Sequence, residues 1–275
     1  MHPDMKSKNI GSYIIAIILS IIFIYPLYVL ILITFEPTYL TFDRLYPYQL
    51  PVVFTLSNLE VSFRNLSLVY PVIRSTEVAF IVAFLALLLS IPAGYGLEKL
   101  TARLSNRIII LMFVVNMMPA LVIAIPISVY FIRLGLENTV IGIALAQELV
   151  VLPISVFIML GGFRSLPQDI ENQALVDGAT LKSAFARVLL PLIRVPALVT
   201  FLIAWMTSWD EFTYAVIISP VRPTFPVDLY DYVSRGEPFV ASSFALIVTI
   251  PVIIVTVVLQ KYLKGEYLSG GLGGV

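Results

Sequence analysis

Seven polar or aromatic residues lie inside long apolar stretches of this chain, where lipid or packed helices would exclude water. Ionisable groups at such depth are costly and usually face a bundle interior or a water-filled path. Carboxylate and amide oxygens accept hydrogen bonds from hydroxyl groups, and aromatic faces stack on the C–H faces of sugars. The pattern fits a path for a hydroxylated solute or, alternatively, hydrogen bonds between helices with interfacial tryptophans. The residues are Asn116, Glu148, Trp205, Trp209, Asp210, Glu211 and Tyr214.

Covalent catalysis and metal binding have few candidate residues. The sequence contains no cysteine, and its one histidine is His2, next to the N-terminus. A single terminal imidazole builds neither a Ser-His-Asp triad nor a zinc site. No G-x-x-x-x-G-K-[ST] motif occurs that would bind nucleotide phosphates. We therefore expect no enzyme activity, no metal and no cofactor in this chain.

The composition is that of a membrane protein. Hydrophobic residues make up 59% of the chain, charged residues only 12%, and the mean hydropathy is +0.98, whereas soluble domains carry roughly 25% charged residues. Apolar runs of about 20 residues predict transmembrane helices. We therefore predict an all-α, polytopic fold with lipid around it. The six predicted spans are 10–35, 71–97, 108–132, 140–163, 195–219 and 239–260.

The basic residues predict the orientation of these spans. With a cytoplasmic N-terminus, eleven of the 17 Lys and Arg residues, including every lysine, fall in cytoplasmic segments. The positive-inside rule therefore favours cytoplasmic N- and C-termini in a multi-pass protein of the cell membrane. Lys+Arg and Asp+Glu are equal in number, so the net charge does not favour a nucleic-acid partner.

Between the fourth and fifth predicted spans lies a segment that predicts helix, turn, helix. Ser165 has the spacing of an N-cap for the first helix, Asp177-Gly178 is a turn signal, and Thr180 is placed to cap the second helix. Pro191 marks the expected end of that second helix. Two short amphipathic helices need a surface to cover their apolar faces, and spacing alone leaves a lipid surface as one alternative.

This segment resembles the cytoplasmic loop signature of binding-protein-dependent ABC permeases. That signature has Glu-Ala-Ala, then Asp-Gly-Ala, then a hydrophobic run closed by Leu-Pro, and here the triplets are 172–174, 177–179 and the closing pair 190–191. The first triplet reads Asn-Gln-Ala, with a glutamate one residue earlier. The resemblance implies a coupling loop, 164–194, that docks on a cytoplasmic ATPase. The residues assigned to this loop are Glu171, Ala174, Asp177, Gly178, Ala179, Leu181, Phe185 and Pro191.

The resemblance extends over nearly the whole chain. Residues 106–139, ending in Leu-Gly-Leu-x-Asn-Thr, look like the third span and following loop of such permeases. Residues 208–218 resemble the Trp-Asn-Glu-Phe stretch of carbohydrate-type permeases, with Asp210 in place of the asparagine. The glycine-rich tail, 261–275, resembles that of the maltose-type second permease subunit but lacks its final lysine.

The resemblance implies a single permease domain, 1–275, that forms a sugar path with a second, homologous permease subunit. Two cytoplasmic ATPase subunits would bind ATP and Mg, and an extracytoplasmic sugar-binding protein would deliver the solute. Within the second loop helix we expect Leu181, Phe185 and Leu189 to pack against the bundle, and Gly178 to adopt a positive φ. We expect Ala174 to leave the first helix slim enough to enter a cleft.

Two other functions are compatible with the residues. An ABC permease for another solute, such as a polyamine, would suit the carboxylates Glu148, Asp210 and Glu211; a phosphate path would want more buried arginine. A secondary transporter working alone would use a carboxylate such as Glu148 for proton coupling and would need no ATPase.

Overall fold

Helix is the only regular secondary structure in the described part of the chain, residues 4–42, 50, 53–64, 66–167 and 169–270 of a computed structural model. The α-helices are α1 Asp4–Phe35, α2 Ser57–Arg64, α3 Leu66–Glu98, α4 Ala102–Asn116, α5 Ala120–Arg133, α6 Val140–Arg164, α7 Ile170–Val176, α8 Leu181–Ala184, α9 Leu190–Leu192, α10 Arg194–Trp209, α11 Thr213–Ile218, α12 Phe225–Ser234 and α13 Pro238–Gly270. A 3₁₀ turn, Thr38–Phe42, follows α1, and a π-helical turn, Phe185–Leu189, joins α8 to α9. The all-α prediction is confirmed.

Four predicted spans are single helices long and apolar enough to cross a membrane. They are Gly11–Phe35, Leu68–Glu98, Val140–Arg164 and Phe239–Val258, which correspond to the first, second, fourth and sixth predictions. The last helix continues as α13 to Gly270, so the beginning of the predicted tail, 261–275, is helical and residues 271–275 lie outside the described residues.

The third predicted span is not one straight helix. It is a pair, α4 and α5, bent by 87°. Pro119, at the start of α5, has an extended ψ of 129°, and proline disfavours helix at the preceding residue and has no N–H to donate. The apolar run does not reveal this break because the residues on either side of it are apolar.

The fifth predicted span, 195–219, is also broken. It comprises α10 and α11, separated at 210–212. At the start of this region, the segment Leu181–Leu192 meets Arg194–Trp209 at a bend of 70°. With each bent pair counted as one span, the helices supply six candidate crossings.

The chain divides into two compact units. One contains Met1–Val69 and Leu229–Ile250; within it, the Asn58 amide donates to the carbonyl oxygens of Thr34 (3.2 Å) and Glu36 (2.9 Å), which ties α2 to the end of α1. The other contains Tyr70–Asp228 and Pro251–Val275 and holds every candidate site residue.

Glycine allows close helix packing in the second unit. A Cβ added to Gly94 of α3 would lie 2.9 Å from the backbone of Met159 and Leu160 in α6. A Cβ added to Gly162 of α6 would lie 2.7 Å from the Pro196 ring in α10. These two contacts hold α3, α6 and α10 together at the end from which the 164–194 loop emerges.

Candidate functional site

The turn between α7 and α8 has the hydrogen bonds of a Schellman motif. The Gly178 N–H donates to the Leu175 carbonyl and the Ala179 N–H donates to the Ala174 carbonyl, both at 3.0 Å. Gly178 has φ +90°, a backbone conformation that glycine adopts without steric cost. The predicted positive φ is therefore confirmed.

The second loop helix begins as predicted. The Thr180 side chain accepts a hydrogen bond from the Ser183 N–H at 3.3 Å, so the N-cap is confirmed. The helix then widens into the π-helical turn, where the Leu190 N–H donates to the Phe185 carbonyl five residues back. Pro191 follows at once; its ring would clash with the carbonyl four residues earlier in a regular α-helix, and the wider turn avoids that contact.

The start of the first loop helix differs from the prediction. Ser165 does not cap it, because its hydroxyl donates back to the Gly162 carbonyl at 2.7 Å at the end of α6. The helix begins at Ile170, after Asp169, which makes no side-chain cap. Gln168, which has capping-box spacing from Ser165, lies outside the described residues.

Aromatic rings hold the second loop helix against the bundle. The Phe185 ring lies 5.0 Å from that of Tyr95 in α3 and 6.3 Å from that of Phe163 in α6, centroid to centroid. Leu189 is buried in the same cluster. Leu181 is 62% exposed, so the prediction that it packs against the bundle is wrong; of the three predicted residues, Phe185 and Leu189 do so.

The Glu171 carboxylate of the loop contacts its own chain. The Tyr95 hydroxyl donates to one oxygen of Glu171 at 2.7 Å, and the Lys99 ammonium pairs with the other. Burial raises the pKa of Glu171, but the bonds from Lys99 and Tyr95 outweigh it and hold the pKa below its ordinary value. Glu171 is thus an ionised anchor between α7 and the end of α3.

The opposite face of α7 is not covered by any of the described residues. Asn172, Gln173, Val176 and Asp177 are exposed, and Val176 reaches 87%, whereas Ile170, Ala174 and Leu175 are half-buried. Ile170, Ala174 and Leu175 thus form the covered face of α7. Ala174 lies on the covered side of α7, so its small size favours packing in its own chain.

A polar cluster joins α6, α10 and α11. The Gln147 amide donates to Glu211 at 3.1 Å, and the Ser208 hydroxyl donates to the Gln147 oxygen. Glu211 in turn accepts from the N–H groups of Tyr214 (2.8 Å) and Ala215 (3.1 Å). A carboxylate at a helix N-terminus satisfies orphan donors and complements the dipole, which explains why α11 restarts after the break.

The tryptophans lie in the core. Trp205 and Trp209 are buried and stacked at 4.9 Å with an interplanar angle of 13°, and the Trp209 ring also lies 4.8 Å from Phe225. Tyr214 is buried as well. Their faces are covered in this conformation, and the Trp205 indole N–H has no hydrogen-bond partner among the described residues, while Asp210 is exposed at the end of α10. Their roles in a solute path stay predictions.

Asn116 and Glu148 lie apart from this cluster. The Asn116 amide donates to the Val150 carbonyl at 3.0 Å, where α4 ends. Glu148 is buried beside an apolar cavity of 340 Å³ between α4 and α6, and neither carboxylate oxygen has a hydrogen-bond partner among the described residues. The structure thus unites Glu211 and Tyr214 around Gln147 and leaves Asn116 and Glu148 separate.

A second buried polar group was missed from the sequence. Arg74 of α3 is buried, and its guanidinium donates to the Asn138 carbonyl (2.8 Å) and the Ser219 hydroxyl (2.9 Å). Asn138 has φ +56°, and its side chain accepts from the Val221 N–H at 3.0 Å. An arginine at the start of an apolar span was the available signal; it ties α3 to the loops before α6 and after α11.

Known proteins similar to this chain are transport permeases. The sulfoquinovosyl glycerol transport system permease protein SmoH of Agrobacterium fabrum is 30% identical over 80% of this chain and 79% of its own length. The trehalose/maltose transport system permease protein MalG of Thermococcus litoralis is 27% identical over 97% of this chain and 98% of its own. The arabinooligosaccharides transport system permease protein AraQ of Halalkalibacterium halodurans is 26% identical over 98% and 99%.

A solved structure has the same fold. It is a chain of a bacterial ABC transporter involved in the import of the acidic polysaccharide alginate, with a TM-score of 0.77 over 95% of this chain and 98% of that one, at 18% identity. Residues 86–266, which include α6, the 164–194 loop, α10 and α11, match one protein family. This chain therefore belongs to the family described as the binding-protein-dependent transport system inner membrane component.

Proposed function

We propose that this chain is a membrane-spanning subunit of an ATP-driven importer and forms, with a second permease subunit, the translocation path for a sugar. Family membership supports the importer. The sugar is supported by the named substrates of relatives aligned over nearly their full length, a trehalose/maltose and an arabinooligosaccharide permease. The aromatic and acidic stretch at 208–218 agrees with this substrate class.

The observation that carries the proposal is the way the 164–194 loop holds α7, with one side against the bundle and the other side exposed. Its first helix is fastened on one side by Glu171 and the half-buried Ile170, and its other side, with Val176 and Asp177, is open. A seven-residue helix is not stable alone, so fixing one face while exposing the other suits docking on a partner. In this proposal the partner is a cytoplasmic ATPase.

The remaining partners follow from that assignment. ATP and Mg would bind on two ATPase subunits, since this sequence has no phosphate-binding G-x-x-x-x-G-K-[ST] motif. A separate extracytoplasmic protein would deliver the sugar. Both termini and the 164–194 loop would lie in the cytoplasm, as the lysine distribution predicts, and the chain itself would make or break no covalent bond.

The test is uptake by the complex purified with its native partners and reconstituted in vesicles. We expect ATP-dependent accumulation of at least one labelled mono- or oligosaccharide from a panel that also contains a polyamine. A protonophore should leave this uptake unchanged. Accumulation of the polyamine alone, or uptake by this chain without ATP that the protonophore abolishes, would contradict the proposal.

A further inference from the structure

We propose that Glu171 is a positioning residue that fastens α7 to the end of α3 through Tyr95 and Lys99, so that a displacement of α7 is passed directly to α3. The inference rests on the proposed function, in which α7 contacts an ATPase. In this proposal Glu171, the one carboxylate within α7, binds α3 of its own chain and does not contact the ATPase.

The geometry of the contact carries the first step. Tyr95 and Lys99 are four residues apart at the end of α3, and the Lys99 N–H donates to the Tyr95 carbonyl at 3.4 Å, so both side chains leave one face. Each then takes a different oxygen of the same carboxylate. The Lys99 ammonium also lies 5.1 Å from the centre of the Tyr95 ring. Two donors on two oxygens fix the orientation of the carboxylate as well as its distance.

Burial distinguishes this contact from ordinary surface pairs. The Glu171 side chain is 13% exposed, whereas Glu60 and Asp231 in the described pairs with Arg64 and Arg235 are 57% and 48% exposed. Exposed pairs of that kind stabilise a protein by little. The largely covered Glu171 carboxylate has two donors and is better ordered, because charge-assisted hydrogen bonds strengthen as water is excluded, while its partner Lys99 is 47% exposed.

The position of the carboxylate in the sequence carries the next step. The resemblance places an acidic residue at 172, but here that position is Asn172, which is exposed with Gln173 on the open face of α7. The glutamate stands one residue earlier, about 100° around the helix, and reaches α3. At positions 172 and 173 the open face of α7 therefore carries amides, while Glu171, the carboxylate within α7, contacts its own bundle.

The far end of the contact explains how a displacement would travel. Tyr95 is next to Gly94, where the backbone of α3 lies close to that of α6, and its ring lies 5.6 Å from that of Phe163 and 5.0 Å from that of Phe185, centroid to centroid. Interiors packed in this way transmit strain because they compress little. A shift of α7 would thus reach α3 and α6 together.

The test uses the complex with its native partners and three variants of this chain: Glu171→Gln, Lys99→Glu, and the exchange Lys99→Glu with Glu171→Lys. We expect each single change to lower sugar-stimulated ATP hydrolysis about fivefold or more while the complex still co-purifies. The exchange should recover at least half of the stimulation. Asp231→Asn, which removes an exposed pair, is the matched control and should change nothing.

A second measurement examines the contact itself, without any sugar or ATPase. Because the chain has no cysteine, spin labels at Gly96→Cys and Asn172→Cys report the distance from α3 to α7; both sites are exposed. We expect a narrow distance distribution in the parent, a broad one in either single variant, and a narrow one again in the exchange.

The outcomes separate the two proposals. If the distribution stays narrow in both single variants, the fastening is overturned. If it broadens while stimulation is normal, transmission through α3 is overturned. If no sugar stimulates the parent complex, the proposed function fails, and the distance measurement alone then decides the fastening.

Discussion

At the scale of single residues, Gly178 has the most demanding conformation in the 164–194 loop. Its φ of +90° closes the Schellman turn, and a β-branched residue there costs about 1–3 kcal/mol. We expect Gly178→Val to insert normally in the membrane, because the spans fold on their own hydrophobicity, but to tilt α7. Co-purification of the ATPase and sugar-stimulated hydrolysis should both fall.

Gly178→Asn is the matched control for that variant. Asparagine tolerates a left-handed backbone better than other side chains, and a Cβ at this position meets no atom within 4 Å. It should therefore retain most of the association and stimulation. Equal loss in the two variants would show that side-chain bulk, and not the backbone, is what the site excludes.

The Glu171 contact predicts a limited pH range for the position of α7. The folded-state pKa of Glu171 is lowered, so its stabilising contribution is present above the ordinary value of 4.5 and is lost as the pH falls through the folded pKa. Burial lowers the pKa of Lys99, but Glu171 outweighs this and the net shift is upward. That contribution is present below 10.5 and is lost as the pH rises through the folded pKa.

The distribution of spin-label distances between positions 96 and 172 should therefore be narrow at neutral pH and should broaden well below pH 4.5. Tyr95, Glu98 and Lys99 are the titratable groups that act on Glu171 or its partner. In Glu171→Gln the distribution should already be broad at neutral pH and should not change further in acid. If the distance distribution of Glu171→Gln is narrow at neutral pH and still broadens in acid, a group other than Glu171 is responsible for the pH dependence.

Local patterns predicted residue features that depend on neighbours in sequence. The Gly178 φ and the Thr180 cap follow from turn and capping chemistry within a few residues. The partner of Glu171 could not be found this way, because Lys99 lies 72 residues earlier in the chain. Nor did the apolar spacing show that Leu181 is exposed, since the π-helical turn after it rotates the following residues.

At the scale of helices, apolar runs predicted where helices occur but not where they break. Most prolines within predicted spans lie inside continuous helices, among them Pro26, Pro71, Pro92, Pro126, Pro153 and Pro251. Only Pro119 coincides with the sharp bend between α4 and α5. Whether a proline ends a helix depends on what satisfies the neighbouring carbonyls, which is a tertiary property.

The packing of α3 on α6 gives a sharp test, because two glycines of α3 differ only in what faces them. A Cβ at Gly94 would lie 2.9 Å from the α6 backbone, whereas a Cβ at Gly96 meets nothing within 4 Å. We expect Gly94→Ala to lower the free energy of unfolding by about 1–3 kcal/mol through overpacking. Gly96→Ala should be neutral or stabilising by up to about 1 kcal/mol, since alanine favours helix.

The measurement is thermal unfolding of the purified chain in one detergent, followed by loss of helical circular dichroism. Because Gly94→Ala and Gly96→Ala are compared with each other in the same detergent, effects of expression level and of the micelle are the same for both. A lower midpoint for Gly96→Ala than for Gly94→Ala would contradict the close approach of the two helices.

At the scale of the whole molecule, family and fold were accessible from the sequence but the solute contacts were not. The loop signature and the apolar runs are local or periodic patterns, so they can be recognised in the sequence without a structure. Trp205 and Trp209 looked suited to sugar stacking because they share a helix face, yet each covers the other in this conformation. Spacing gives the face of a helix, but only packing decides what that face meets.

The two bent pairs make the topology of the chain the most informative global prediction. The α4–α5 pair is either one crossing or a re-entrant segment whose ends lie on the same side, whereas Leu181–Leu192 of the other pair belongs to the 164–194 loop. The alternatives differ in where Arg103, in the first turn of α4, and Glu137, after α5, are found; both are exposed. Their reactivity as single cysteines therefore depends on the side of the membrane and not on burial.

We expect six crossings with both termini in the cytoplasm, so that Glu137→Cys and Thr55→Cys react with a membrane-impermeant maleimide in intact cells. Arg103→Cys, Val176→Cys and Gly265→Cys should react only after permeabilisation. The physical reason is the lysine distribution, because every lysine then stays on the cytoplasmic side. If Arg103→Cys and Glu137→Cys instead react from the same side, α4 and α5 form a re-entrant pair. In that case every later helix reverses direction, which moves the 164–194 loop away from the cytoplasm and contradicts its contact with an ATPase.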